Sequence, residues 1–139
     1  MGTTLRPELS KKNKYWIEKE RYFELKHFCL QYPTWKKAYE ALDGISQQPI
    51  DLAIMSKTNV VSDPVGKCVE ARSFYFERMG MVERAAKVAD QDLWSYILVG
   101  VSEGISYDRL KARLGVPCCK DKYYDLRRRF FWLLDQERQ

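Results

Sequence analysis

Cys68, Ala71, Tyr75, Met79, Val82, Ala86 and Ala89 recur at spacings of three and four along one stretch of the chain. Spacings that average close to the helical repeat place all of them on one side of an α-helix and would scatter them around a strand. The stretch therefore predicts one amphipathic helix over 64–89. Asp63-Pro64 supplies its start, an acid that accepts from free N–H groups followed by a proline whose fixed φ suits the first helical position. Such a helix is about 39 Å long, enough to cross a small domain or to form a dimer seam. Ala71, Ala86 and Ala89 let a partner helix approach closely, and Gly80 marks the place where the helix bends or breaks.

The rest of the chain has the same character. Alternating Val/Ile/Thr runs are nearly absent, so the expected fold is all-α: a small helical domain with a long central helix and a C-terminal helix-turn-helix. Residues 1–13 hold too little apolar content to pack and predict a flexible lead-in. Residues 14–43 predict a helical hairpin. Tyr15, Tyr22, Leu25, Cys29 and Tyr32 line one face of a helix over 14–31, widened by Trp16, Phe23 and Leu30. Pro33 closes that helix and opens the next, because it disfavours the helical region for the residue before it and suits a first turn. Trp35, Tyr39 and Leu42 share one side of the second helix, which Asp43-Gly44 is expected to stop. Periodicity is lost over 44–62, a predicted linker, and 63–90 forms the long helix.

Residues 91–139 carry the helix-turn-helix. Asp90 to Asp92 cap a helix in which Leu93, Trp94, Ile97, Leu98 and Val101 point inward, and Ser106 caps a second over 107–114. Gly115-Val116-Pro117 makes the turn, with Val116 plugging the angle between helices, and Cys118 or Cys119 starts the last helix, 119–134. On a helical wheel Tyr123, Leu126, Phe130, Leu133 and Leu134 form its core face, leaving Asp121, Tyr124, Asp125, Arg128 and Trp132 opposite.

Charge points to a partner for this element. Residues 1–26 carry seven Lys/Arg against four Glu, residues 27–105 eight against ten, and residues 106–139 nine against five. A structured segment with concentrated positive charge fits duplex DNA, or a solvated, arginine-rich helix face. In a helix-turn-helix the start of the second helix meets base edges and flanking cations meet phosphates. Lys120, Tyr124, Arg127 and Arg128 are the base-contact candidates; Arg109, Lys111, Arg113, Lys122 and Arg129 are the backbone-contact candidates. Asp121 and Asp125 sit among them, where they accept from a cytosine amino group or pair with Arg128 or Arg129. Trp132 fits packing under the N-terminal helices, or a dimer contact, better than a DNA face.

Other chemistries find little support. Cys29, Cys68, Cys118 and Cys119 form no C-x-x-C pair, which fits reduced thiols in a cytoplasm. Cys118-Cys119 at a helix start is placed to act as a redox sensor, or simply as a cap beside a small buried residue. His27 is the only histidine, so no zinc cluster and no Cys–His nucleophile is expected. Neither phosphate-binding glycine motif is present. No apolar run is long enough to cross a bilayer. The expectation is a protein that is not an enzyme, without cofactor or metal, in the cytoplasm and away from membranes.

The stretch ISYDRLKARLGVPCCKDKYYDLRRRFFWLLD, the Tyr32-Pro33 pair and the long middle helix together resemble a known family. It is the ArpU/RinA-like late-gene transcriptional activators of phages and prophages in Gram-positive bacteria, whose C-terminal part is similar to region 4 of sigma factors. Tyr123 to Arg129 looks like the family's recognition helix, although Pro117-Cys118-Cys119 stands where sigma-like helices open with Ser or Thr, shifting the base-reading positions by a residue or two. The resemblance implies a phage-encoded, sequence-specific transcription regulator that binds double-stranded DNA and contacts host RNA polymerase. A homodimer through helix 64–89 fits the same plan. Helix-turn-helix elements also serve in protein–protein adaptors or inhibitors of host complexes and in DNA-packaging subunits like the small subunit of terminase, so both alternatives stand beside it.

Overall fold

Helices account for all regular structure in residues 13–47 and 64–139, the residues described by the computed structural model. They are α1 Lys19–Leu30, α2 Tyr32–Gln47, α3 Pro64–Ala89, α4 Trp94–Glu103, α5 Tyr107–Leu114 and α6 Lys120–Glu137. The fold is all-α, as the periodicities predict. The expected lead-in at 1–13 and linker at 44–62 lie outside the described residues, apart from Asn13 and the backbone of 44–47.

Two helix ends differ from the sequence reading. α1 begins at Lys19 rather than near residue 14, because Asn13 holds a turn ahead of it. The Asn13 side chain accepts from the Tyr15 N–H at 2.8 Å and its carbonyl from the Trp16 N–H at 3.0 Å. α2 runs through Gly44 to Gln47. A glycine inside a helix costs only about 1 kcal/mol relative to alanine, and packing along α3 offsets it. Pro33 acts as expected: α1 ends at Leu30, and the proline sits in the first turn of α2, where its missing N–H costs nothing.

α2 lies antiparallel on the first half of α3. The Tyr32 hydroxyl meets the Glu83 carboxylate, Arg72 donates to the Tyr39 hydroxyl at 3.1 Å, and the Cys68 thiol reaches the Leu42 carbonyl at 3.8 Å. The second half of α3 enters the core through Val82, Ala85, Ala86 and Ala89. Gly80 does not break the helix, which stays continuous over its 26 residues. The seam read as a possible dimer face is thus occupied from within the chain, by α2 on one half and by α4 and α6 on the other.

α6 is the hub, with α1, α3, α4 and α5 all packed against it. Tyr123, Phe130, Phe131 and Leu134 are almost completely buried along it. Burying a side chain of this size is worth about 1.5–3 kcal/mol, so α6 anchors the core. α1 packs against it, with Arg21 bonded to Asp135 at 2.6 Å and the Tyr22 ring 5.2 Å from Phe131. Trp132 meets Tyr15 at 6.0 Å between ring centroids, so its apolar surface is covered by the N-terminal segment. One buried cluster extends from Ile17 to Leu134, so hairpin, long helix and helix-turn-helix share a core.

Candidate nucleic-acid interface

The C-terminal unit is built from its caps inward. The Asp90 carboxylate accepts from the Asp92 and Leu93 N–H groups, each at 2.8 Å, and sets the entry into α4. Gly104, at φ 67°, ends α4. The Ser106 hydroxyl accepts from the Arg109 N–H at 3.3 Å and starts α5, which Gly115 ends at φ 65°. Both glycines sit in the left-handed region, where a side chain is strained. Val116, 3% exposed, fills the corner between α5 and α6 as expected.

Three tyrosines fix the corner. The Tyr107 N–H donates to the Tyr124 hydroxyl at 3.1 Å, and the Tyr107 hydroxyl donates to the Cys118 carbonyl. The Tyr123 ring lies between them, 5.6 Å from Tyr107 and 5.2 Å from Tyr124. Gly100 of α4 makes room for it: a Cβ there would stand 2.0 Å from the Tyr123 hydroxyl oxygen. Neither Gly100 nor Tyr107 stands out in the sequence; a glycine three residues before a predicted helix end is the one available signal of close approach.

Two of the base-contact candidates are corrected by this packing. Tyr124 is 9% exposed, and its hydroxyl is held by α5. Arg127 is 6% exposed, donates to the Ile105 carbonyl at 3.5 Å and lies 5.9 Å from the Phe131 ring centroid. Both side chains are largely buried. The helical wheel misplaced them because it scored tyrosine and arginine as polar, whereas α6 is covered from several sides at once.

The other candidates lie outside. Lys120 stands 3.6 Å from the Asp108 carboxylate, Arg113 pairs with Glu103 at 2.7 Å, and Arg128 lies 3.9 Å from Asp125. Lys111 places its ammonium 5.8 Å from the Tyr107 ring centroid. Arg109 and Lys122 are exposed and have no carboxylate within 4 Å among the described residues. Arg129 points elsewhere, its guanidinium 3.5 Å from the Val88 carbonyl on α3. Glu103 and Asp108, which the sequence reading did not weigh, are the carboxylates that hold two of the cations in place.

From Lys120 to Asp135, the fully exposed residues of α6 are Asp121, Lys122 and Asp125, all in its first turn and a half. The rest is buried or half-buried. Asp121 at the helix start also favours the positive end of the helix dipole, which gives it a structural reason to be there.

Two of the thiols, Cys29 and Cys118, are held toward the protonated form. Burial pushes the Cys29 thiol far above its ordinary value, and burial together with neighbouring Cys119 raises Cys118 despite Lys122 and Lys111 nearby. Among the described residues no group of His, Cys, Asp and Glu forms a metal site, and no helix is long and apolar enough to cross a membrane. No family model, curated protein or solved structure matches this chain.

Proposed function

We propose that this chain is a sequence-specific regulator that binds duplex DNA, presenting the start of α6 to the major groove and the outer side of α5 to the backbone. The observation that carries the proposal is that, from Lys120 to Asp135, the exposed residues of α6 are Asp121, Lys122 and Asp125 in its first turn and a half, beside the exposed Arg109, Lys111 and Arg113 of α5. A helix exposed at its N-terminal end, with its middle packed on the core, is placed as the second helix of a helix-turn-helix is placed on DNA. Lys120, Lys122 and Arg128 are then the cations nearest the groove, and Arg109, Lys111 and Arg113 the cations for phosphates. The exposed N–H groups and dipole of α6 add to the attraction for phosphate. Together with the phage-activator resemblance, this points to promoter binding and contact with a host polymerase.

A second proposal rests on the interleaved carboxylates. Glu103, Asp108, Asp121 and Asp125 alternate with the cations across the same face, a pattern of mixed charge that fits a protein partner. Charge reversal separates the two. Lys122→Glu abolishes binding to duplex DNA under the first proposal. If Lys122→Glu leaves association with duplex unchanged, or no association is seen at low salt, the second proposal is favoured.

A further inference from the structure

Between α3 and α6, on the side away from the helix-turn-helix corner, lies a groove of about 380 Å³. Ala85, Val88 and Leu133 form its floor, and Val88 is 58% exposed there. Leu133 follows Lys120 by thirteen positions, roughly 20 Å along the helix at the standard rise, so the groove is spatially distinct from the proposed DNA face.

Its rim carries Arg84, Lys87 and Glu137, and Arg129 stands beside it through the Val88 carbonyl. Glu137 is neutralised by Arg84, which donates to it through Nε at 2.9 Å and through Nη2. Lys87 rests its ammonium 4.8 Å from the Trp94 ring centroid, and Arg129 reaches only the Val88 carbonyl. Neither Lys87 nor Arg129 has a carboxylate within 4 Å among the described residues. An exposed apolar floor offers nothing to a nucleic acid backbone, and the unbalanced rim favours an acidic partner. Two antiparallel helices side by side leave a trough into which a third helix packs.

We infer that the α3–α6 groove docks an amphipathic helix of a protein partner, with an apolar stripe against Val88 and Leu133 and acidic flanks against Lys87 and Arg129. The inference does not rest on the DNA proposal, since a chain that binds no DNA can still dock such a helix. It gives Arg129 a place beside the groove rather than at the DNA backbone.

The test is a titration of the whole isotope-labelled protein with a synthetic helical peptide carrying leucine at i, i+3, i+4 and i+7 and glutamate on both flanks. A control peptide has lysine for every glutamate. The expected result is that the acidic peptide shifts the amide signals of Ala85, Val88 and Leu133 and leaves those of Lys111 and Lys122 in place. Val88→Glu, at an exposed position, abolishes binding, Lys87→Glu weakens it about tenfold or more, and Lys111→Glu leaves it unchanged. The inference is overturned if neither peptide binds, if the two bind equally, or if the shifts map outside the groove. It is equally overturned if sedimentation shows a dimer that Val88→Glu dissolves, because the occupant is then a second copy. Duplex binding, measured on the same variants, reports separately on the DNA proposal.

Discussion

The Tyr107 backbone N–H donates to the Tyr124 hydroxyl at 3.1 Å, tying the first residue of α5 to the second turn of α6. This bond sets the corner of the helix-turn-helix and withdraws Tyr124 from any DNA face. Tyr124→Phe leaves a buried N–H without its acceptor and is expected to cost about 1–3 kcal/mol in chemical denaturation. Duplex affinity of the folded variant stays at the wild-type level. Loss of affinity without loss of stability would return Tyr124 to the groove.

Gly100 and Tyr123 form a second coupled pair. Gly100→Ala drives a methyl group into the Tyr123 hydroxyl, where a Cβ would lie 2.0 Å from the oxygen, and is expected to destabilise by about 1–3 kcal/mol. Tyr123→Phe removes the obstructing atom, the hydroxyl oxygen, beside which the Arg127 guanidinium lies. The double variant therefore recovers much of the loss, with a coupling of about 0.5–3 kcal/mol in a double-mutant cycle. Additive costs would show that α4 and α6 do not meet at this point.

Arg127 carries a buried charge with no carboxylate within 4 Å among the described residues. Burying an unpaired charge is costly, and apolar replacements of similar size are often neutral or stabilising. Arg127→Met is expected to unfold within about 1 kcal/mol of the wild type, or above it. Its effect on duplex binding is small. A large loss of affinity at unchanged stability would identify Arg127 as a DNA contact.

Burial raises the thiol of Cys29 and the hydroxyls of Tyr22 and Tyr123 above their ordinary values of 9.0 and 10.0. A group whose folded pKa is raised contributes stability below its unfolded pKa and loses it as pH climbs above that value. Stability should hold to about pH 9 and then fall, by up to about 1.4 kcal/mol per pH unit for each group ionised only when unfolded. Cys29→Ala lowers stability throughout but flattens the curve between pH 9 and 10, the first part of this window. An unchanged slope would contradict the burial of Cys29.

Much of the fold was legible because its punctuation is local. Pro33, Gly104, Ser106 and Gly115 act on their own neighbours, through ring geometry, a side-chain acceptor or left-handed backbone, and each acts as the sequence implies, whereas Asp90 holds a turn ahead of α4, whose N-cap is Leu93. Asn13 and Gly44 show the boundary of that logic, since an unexpected turn moved one helix start and tertiary packing carried α2 past a glycine. The site was legible only in outline. Arg109, Lys111, Arg113, Lys120, Lys122 and Arg128 lie at the surface or half-buried around the corner, but Tyr124 and Arg127 are inside and Arg129 faces α3. A wheel of α6 alone cannot show this, because the Arg127 side chain turns back to the Ile105 carbonyl, on the connection between α4 and α5.

The most direct measurement is duplex affinity across a salt series, by fluorescence anisotropy, for the wild type and for Arg109→Glu/Lys122→Glu. Both positions are exposed, so stability should be unchanged to within about 0.5 kcal/mol. The predicted result is a linear fall of log affinity with log salt, at about −0.9 for each phosphate contacted, together with loss of binding in the double variant. No binding at low salt, or binding that survives the reversal of both charges, would contradict DNA recognition by the start of α6 and the face of α5.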